Sequence, residues 1–321
     1  MNILNEVYNI GIIPVIKIND ASKATGLAKA LIDGGLPAAE VTFRTDAAED
    51  AIRAISKAYP DMLVGAGTVL TIEQAERALN AGAKFIVSPG FNPKVVKWCL
   101  DKGVTPLPGC TTPSEIEQAL ELGLKVVKFF PAEQSGGLAK IKAMSAPYGD
   151  VKFMPTGGVS LDNMNEYLAC NKILACGGSF MVKESYIDNE NWDEITKLTR
   201  QAVDNMLSLE IGHIGINHEC EKCAYKTGEM LATLLGKAIE RDTEKSLFVG
   251  SQFEVMKFMG PGKCGHIAVY TNNVDRAVYH LSRRGIIFNE ESATFNADGS
   301  KKFIYLAEEF GGFGIHLLQK K

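Results

Sequence analysis

Lys128 sits inside Val126-Val127-Lys128-Phe129-Phe130-Pro131, a run of β-branched and aromatic residues closed by proline. Such a run reads as a strand buried on both faces, the kind a parallel sheet makes. A buried ammonium is costly unless it is paired or gives up its proton. A neutral, desolvated lysine is a nucleophile that forms Schiff bases with carbonyl compounds. The other reading is a strand-end lysine that snorkels to water, as Lys125 can. A second run, Glu40-Val41-Thr42-Phe43-Arg44-Thr45, carries a carboxylate that either pairs with Arg44 or acts as a general acid and base. Arg44 in turn offers a bidentate grip to a substrate carboxylate.

These residues need a frame. Strand-like runs cover Ile12–Ile18, Ala39–Phe43, Leu63–Gly67, Phe85–Val87, Thr105–Leu107, Lys125–Phe130, Val151–Met154 and Ile173–Cys176. Between them lie patterns such as Ala47, Ala48, Ala51, Ile52, Ile55 and Ala58, one apolar face at helical spacing. Thr71-x-x-Gln74 and Thr112-Pro113-x-Glu115 read as capping boxes, and Gly82, Gly103 and Gly123 as helix stops. Eight β/α repeats predict an α/β fold, a (β/α)8 TIM barrel. An open doubly wound sheet is the runner-up, but Lys17-Ile18-Asn19-Asp20 is not the glycine-rich loop it needs after its first strand.

In such a barrel the chemistry gathers where strands end. The strand ends are the Glu40–Thr45 segment, Gly65-Ala66-Gly67-Thr68, Ser88-Pro89-Gly90, Pro108-Gly109, Lys128–Glu133, Pro155-Thr156-Gly157-Gly158-Val159 and Gly177-Gly178-Ser179-Phe180. The last two are glycine turns, either plain tight turns or cradles whose backbone N–H groups hold a phosphate.

EVTFRT, GAGTVL, SPG, KFFPAE, PTGGV and GGSF occur here in the order found in the KDPG/KHG aldolases, and residues 1–208 resemble that family. The resemblance implies a class I aldolase of the Entner–Doudoroff pathway. Its members cleave 2-keto-3-deoxy-6-phosphogluconate to pyruvate and glyceraldehyde 3-phosphate, or 2-keto-4-hydroxyglutarate to pyruvate and glyoxylate. It implies Lys128 as Schiff-base lysine and Glu40 as proton-transfer group. Arg44, Thr68, Pro89, Phe130 and Thr156 would bind the pyruvyl end, and Gly157, Gly158, Gly178 and Ser179 the phosphate. Lys17 stands where some relatives have arginine. The protonated imine accepts electrons as the C3–C4 bond breaks, so the aldolase needs no cofactor. A homotrimer assembled through the barrel is implied as well.

Near residue 211 the pattern changes. Gly212-His213-Ile214-Gly215-Ile216 recurs as Gly265-His266-Ile267-Ala268-Val269, each copy followed by a helical segment and short strands. The repeat predicts two βαβββ modules forming a small α+β domain over residues 211–321, after an aldolase barrel over 1–210. Glu254 and His316 lie in the closing strand of each module. With His213 and His266 they form a set suited to a divalent metal such as Zn2+, Ni2+, Fe2+ or Mn2+. This part resembles the vicinal oxygen chelate (glyoxalase-like) superfamily, with His316 where glyoxalase-like members usually have glutamate. The resemblance leaves three roles open: a metal-dependent isomerase or lyase making the protein bifunctional, a regulatory or oligomerising module, or a non-catalytic domain.

The formal net charge of −4 argues against nucleic acid and anionic membrane as partners, and the aldolase resemblance implies small 2-keto acids as substrates. The apolar stretch Ile10–Ile16 is too short to span a bilayer. Seven cysteines without regular spacing suit a reducing cytoplasm, and Cys220-x-x-Cys223 beside His218 is read as a fortuitous spacing at a helix start.

Overall fold

Apolar runs become buried parallel strands throughout the first part of the chain. They are β1 (Ile12–Ile16), β2 (Ala38–Thr42), β3 (Leu63–Gly67), β4 (Phe85–Val87), β5 (Thr105–Leu107), β6 (Val126–Phe129), β7 (Lys152–Pro155) and β8 (Cys176–Gly178). The computed structural model describes residues 2–320. Its chain divides into two compact units, Met1–Met206 and Leu207–Lys321.

In the first unit the strands run β5-β4-β3-β2-β1-β8 in one sheet and β6-β7 in another. Single bridges Gly109↔Lys128 and Thr156↔Gly177 join the two sheets and close the ring. This is the (β/α)8 barrel, with α2 (Ala24–Asp33), α3 (Ala48–Ala58), α4 (Ile72–Asn80), α5 (Pro93–Asp101), α6 (Pro113–Glu121), α7 (Gly137–Ser145) and α8 (Met164–Leu168) following strands β1 to β7 in turn. Helices α9 (Glu184–Asp188) and α10 (Trp192–Leu207) follow β8. Every residue of β2, β3, β4 and β6 is buried, Lys128 included. That is why these strands read as continuous apolar runs rather than alternating ones.

Two local expectations change, and one element is added. A helix, α1 (Ile3–Ile10), precedes β1, and the Asn2 side chain caps it by accepting from the Leu4 N–H. The eighth strand is displaced: Ile173 makes only a bridge to Phe153, and the ladder with β1 begins at Cys176. Its apolar residues lead into the barrel, and its glycines lie within the ladder. Of the two capping boxes, Thr112–Glu115 is reciprocal, whereas Gln74 bonds the Leu70 N–H and leaves Thr71 a one-sided cap. Gly82, Gly103 and Gly123 do stop helices, with φ of 107°, 69° and 79°, a region costly for side chains with a Cβ.

The second unit contains β9 (Glu210–Ile216), α11 (Glu221–Leu235), β10 (Ile239–Asp242), β11 (Ser246–Val249), β12 (Phe253–Met256), β13 (Gly265–Thr271), α12 (Val274–Arg283), β14 (Phe288–Phe295), β15 (Lys301–Phe310) and β16 (Phe313–Gln319). The order βαβββ therefore occurs twice. One mixed sheet runs β10-β11-β12-β9-β13-β16-β15-β14, and β9 meets β13 antiparallel at its centre. Alternation along the strands splits its residues between two faces. Leu247 and Val255 pack with Ala224 of α11, and Ile304 and Leu317 are buried in the second module. The residues between them point to the opposite face. Cys220 and Cys223 are joined by a disulfide at the start of α11, against the expectation of a wholly reduced chain. Among the described residues no helix is long and apolar enough to cross a membrane.

Candidate functional site

Strand β6 carries Lys128 into the barrel, where its side chain is 6 % exposed, and β2 brings Glu40, at 1 %. Lys128 Nζ donates to Glu40 Oε1 at 3.1 Å. The sequence alternative for Glu40, a pair with Arg44, is not what forms. Arg44 Nε instead donates to Thr68 Oγ1 at 3.3 Å. Thr68 has φ 56°, a left-handed conformation that costs a residue with a Cβ on the order of 1–2 kcal/mol. Lys128 Nζ also lies 5.4 Å from the centre of the Phe130 ring.

Glu40 Oε2 and Thr156 Oγ1 are buried polar atoms with no hydrogen-bond partner among the described residues. An unmet buried acceptor or hydroxyl costs about 1–3 kcal/mol, so each calls for a hydrogen-bond partner from water or a bound molecule. Two glycines make room for them. A Cβ on Gly67 would stand 2.2 Å from Glu40 Oε1, and one on Gly177 would stand 2.3 Å from Thr156 Oγ1. Sequence reasoning missed both, because Gly67 read only as a strand-end glycine. Gly67→Ala is expected to lower stability by about 1–3 kcal/mol through overpacking. Denaturant unfolding checks this; unaltered stability would mean that the Glu40 carboxylate moves aside freely.

At the strand ends a cavity of about 380 Å3 is lined by Arg44, Phe130 and Thr156 together with Gly157, Gly158, Gly178 and Ser179. Gly157 and Gly158 have φ of 96° and 82°, which turns the backbone sharply at that wall. Lys17 and Glu184 line the cavity too, and Lys17 Nζ donates to Glu184 Oε2 at 2.7 Å. That hydrogen bond holds the Glu184 carboxyl below its ordinary range. Glu184 escaped the sequence reading because it follows the last strand, outside every motif. Thr68 and Pro89 do not line the cavity. Thr68 reaches it through Arg44, and the Pro89 carbonyl packs so tightly on Gly109 that a Cβ there would meet it at 2.0 Å.

A separate cluster lies in the second unit. His213 on β9, Glu254 on β12, His266 on β13 and His316 on β16 share the sheet face opposite the helices. His213 Nε2 and His266 Nε2 are 3.1 Å apart, and Glu254 Oε2 lies 3.1 and 3.2 Å from them. Ligand atoms of the three histidines all lie within 4.8 Å of one another. Burial alone would raise the Glu254 carboxyl, but hydrogen bonds from His213, His266 and Ser246 outweigh it and hold the group well below the usual carboxylate range. Burial, with the two nearby imidazoles, pushes His316 down to about 3, and its Nδ1 has no partner among the described residues. Gly215 makes the cluster possible, since a Cβ there would stand 2.1 Å from the His266 ring. Atoms bound at 2.0–2.1 Å to one tetrahedral ion lie roughly 3.3 Å apart, so this donor set fits a divalent metal.

The family model described as KDPG and KHG aldolase matches residues 3–198. A 2-dehydro-3-deoxy-phosphogluconate aldolase from Haemophilus influenzae is 48% identical over 202 residues, 63% of this chain and 95% of that protein. The KHG/KDPG aldolase of Escherichia coli K12 is 42% identical over 193 residues, 60% of this chain and 91% of that one. Among solved structures, the KDPG aldolase of Legionella pneumophila, with pyruvate captured as a covalent carbinolamine intermediate, superposes with a TM-score of 0.60. It is 38% identical and covers 62% of this chain and 97% of its own.

Proposed function

The chain belongs to the KDPG and KHG aldolase family, lyases that work through a Schiff base, and from that premise we propose that Lys128 is the amine that forms it here. The carrying observation is the buried 3.1 Å contact between Lys128 Nζ and Glu40 Oε1, with Glu40 Oε2 left over. Lys128 passes a proton to Glu40 and attacks the C2 ketone of a 2-keto acid; Glu40 returns that proton as water is lost, which leaves a protonated imine. Glu40, alone or through one water, takes the C4 hydroxyl proton as the C3–C4 bond breaks into the iminium. It then returns a proton to C3 of the enamine, and hydrolysis of the resulting imine releases pyruvate.

Arg44 grips the pyruvyl carboxylate, Thr156 Oγ1 hydrogen-bonds the same end, and Phe130 packs against it. Thr68 steadies Arg44 through its hydroxyl, and Pro89 shapes the loop against Gly109. Gly157, Gly158, Gly178 and Ser179 hold the far end of the substrate, where their position on the cavity wall favours a phosphate. Trapping with pyruvate and borohydride, followed by peptide mass analysis, tests the assignment. A reduced pyruvyl adduct is expected on Lys128, and an adduct on another lysine, or none, would refute it. The barrel is taken to assemble as a homotrimer, which light scattering at the chain's 34.8 kDa would read directly.

The converging imidazoles favour a second role for the C-terminal unit, a glyoxalase-like metal site. His213, Glu254, His266 and His316 would hold a divalent ion, which when bound supplies Lewis acidity to an oxygen ligand. One metal per chain is expected by elemental analysis after cobalt loading, and less than a tenth of that in His266→Ala. Removing it with a chelator should leave aldol cleavage unchanged, because that chemistry runs on the iminium. A parallel loss of cleavage would tie the barrel's activity to the metal.

A further inference from the structure

The two modules of the second unit are related position by position, and the places where they differ are informative. His213 and His266 correspond, as do Glu254 and His316. Outward from them, Phe248 stands opposite Glu254 and Tyr305 opposite His316. At the ends, Arg241 stands opposite Phe248 and Asn289 opposite Tyr305. Two offset rows therefore cross one sheet face: Arg241, Phe248 and Glu254 lead through Gly215 to His266, and Asn289, Tyr305 and His316 lead through Ala268 to His213. Only the first module ends its row in a cation.

Arg241 is held by stacking. Its guanidinium carbon lies 3.7 Å from the centre of the Phe248 ring, and Phe248 meets the His213 ring edge-on at 5.8 Å. Arg241 forms no ion pair with the described residues, although Glu240 and Asp242 flank it in sequence, because neighbours along a strand point to the opposite face. Asp242 is engaged there by Tyr225 and Lys257. A guanidinium stacked on a ring keeps its N–H edges free, and that edge matches a carboxylate.

We infer that Arg241 and Phe248 form an anion subsite one ring away from the His213–Glu254–His266–His316 centre. The ligand of that centre is then a small organic acid whose carboxylate rests on Arg241 while other oxygens face the metal. This rests on the metal reading above, and the fused barrel handles acids of the same class. Asn289, at the equivalent place in the second module, offers no charge, so the ligand is oriented rather than bound symmetrically.

The test uses the full-length protein loaded with cobalt, read by its visible absorption, with oxalate as the probe. Oxalate has no ketone and forms no imine with Lys128. The cobalt bands are expected to shift on titration with oxalate, and Arg241→Met should weaken that response about tenfold, the usual loss for one charge-assisted contact. Cobalt affinity should be unchanged in this variant, whose methionine keeps a stem over Phe248. Equal oxalate affinity in wild type and Arg241→Met, or no spectral response to oxalate, would overturn the subsite while leaving the metal site standing. Failure of cobalt to give a spectrum that His213→Ala abolishes would overturn the metal reading, and the subsite with it.

Discussion

Lys128→Met is expected to lower kcat for cleavage of 2-keto-3-deoxy-6-phosphogluconate by at least about 10^4-fold, with no borohydride adduct formed from pyruvate. The size follows from the role, since without a covalent iminium there is no electron sink for the C3–C4 bond, and loss of a nucleophile is among the largest single-residue effects known. The same change also strands a buried carboxylate. Removing one partner of a buried ion pair costs about 3–5 kcal/mol unless the remaining group neutralises itself, and Glu40 is 1 % exposed. A dead but poorly folded variant would therefore be ambiguous. Lys128→Met combined with Glu40→Gln removes the stranded charge and should recover most of that stability without recovering activity. Cleavage within about tenfold of wild type in a folded Lys128 variant would refute the lysine mechanism.

Glu40→Gln is expected to lower kcat by roughly 10^2- to 10^4-fold, the usual contribution of a positioned acid–base group. Its signature differs from that of the lysine variant. Lys128 is still present, so pyruvate should still be trapped by borohydride, while exchange of the pyruvyl C3 protons with solvent should slow alongside cleavage. Proton exchange measured by NMR separates the two steps. If exchange persists at the wild-type rate while cleavage falls, Glu40 serves only to hold Lys128, and another group moves the proton.

The two carboxylates at this site differ in burial and in partners. Glu40 is buried beside Lys128 with one oxygen uncommitted. Glu184 is half exposed and spends its charge on Lys17 at the cavity rim. Solvent screens the second pair, so its worth for stability is small.

Much of this was legible without coordinates. A lysine within a β-branched run, a carboxylate before an arginine and glycine pairs at two strand ends are local signals. The strand period and the helix caps carry them because they depend only on neighbours along the chain. The duplicated Gly-His-Ile pattern likewise implied two modules, and the alternation of strand side chains put His213, Glu254, His266 and His316 on a common face. The displaced eighth strand shows the limit of such signals: Ile173 and Leu174 look like a strand, yet the ladder to β1 forms at Cys176–Gly178, where glycines give no apolar signal.

Tertiary structure decided what these residues touch. Glu40 and Lys128 are 88 positions apart, and Lys17 and Glu184 are 167 apart. Contacts over such separations depend on strand order and register, which no local pattern contains. The same holds for Gly67, Gly177 and Gly215, whose missing side chains matter only because Glu40, Thr156 and the His266 ring arrive from other strands. Arg241 was unremarkable in sequence, one charge among three at a strand end. It became distinctive once the pairing of β10 with β11 set it over Phe248. Local chemistry can therefore be read from residue type and spacing, whereas its partners follow from a fold that brings distant strands side by side.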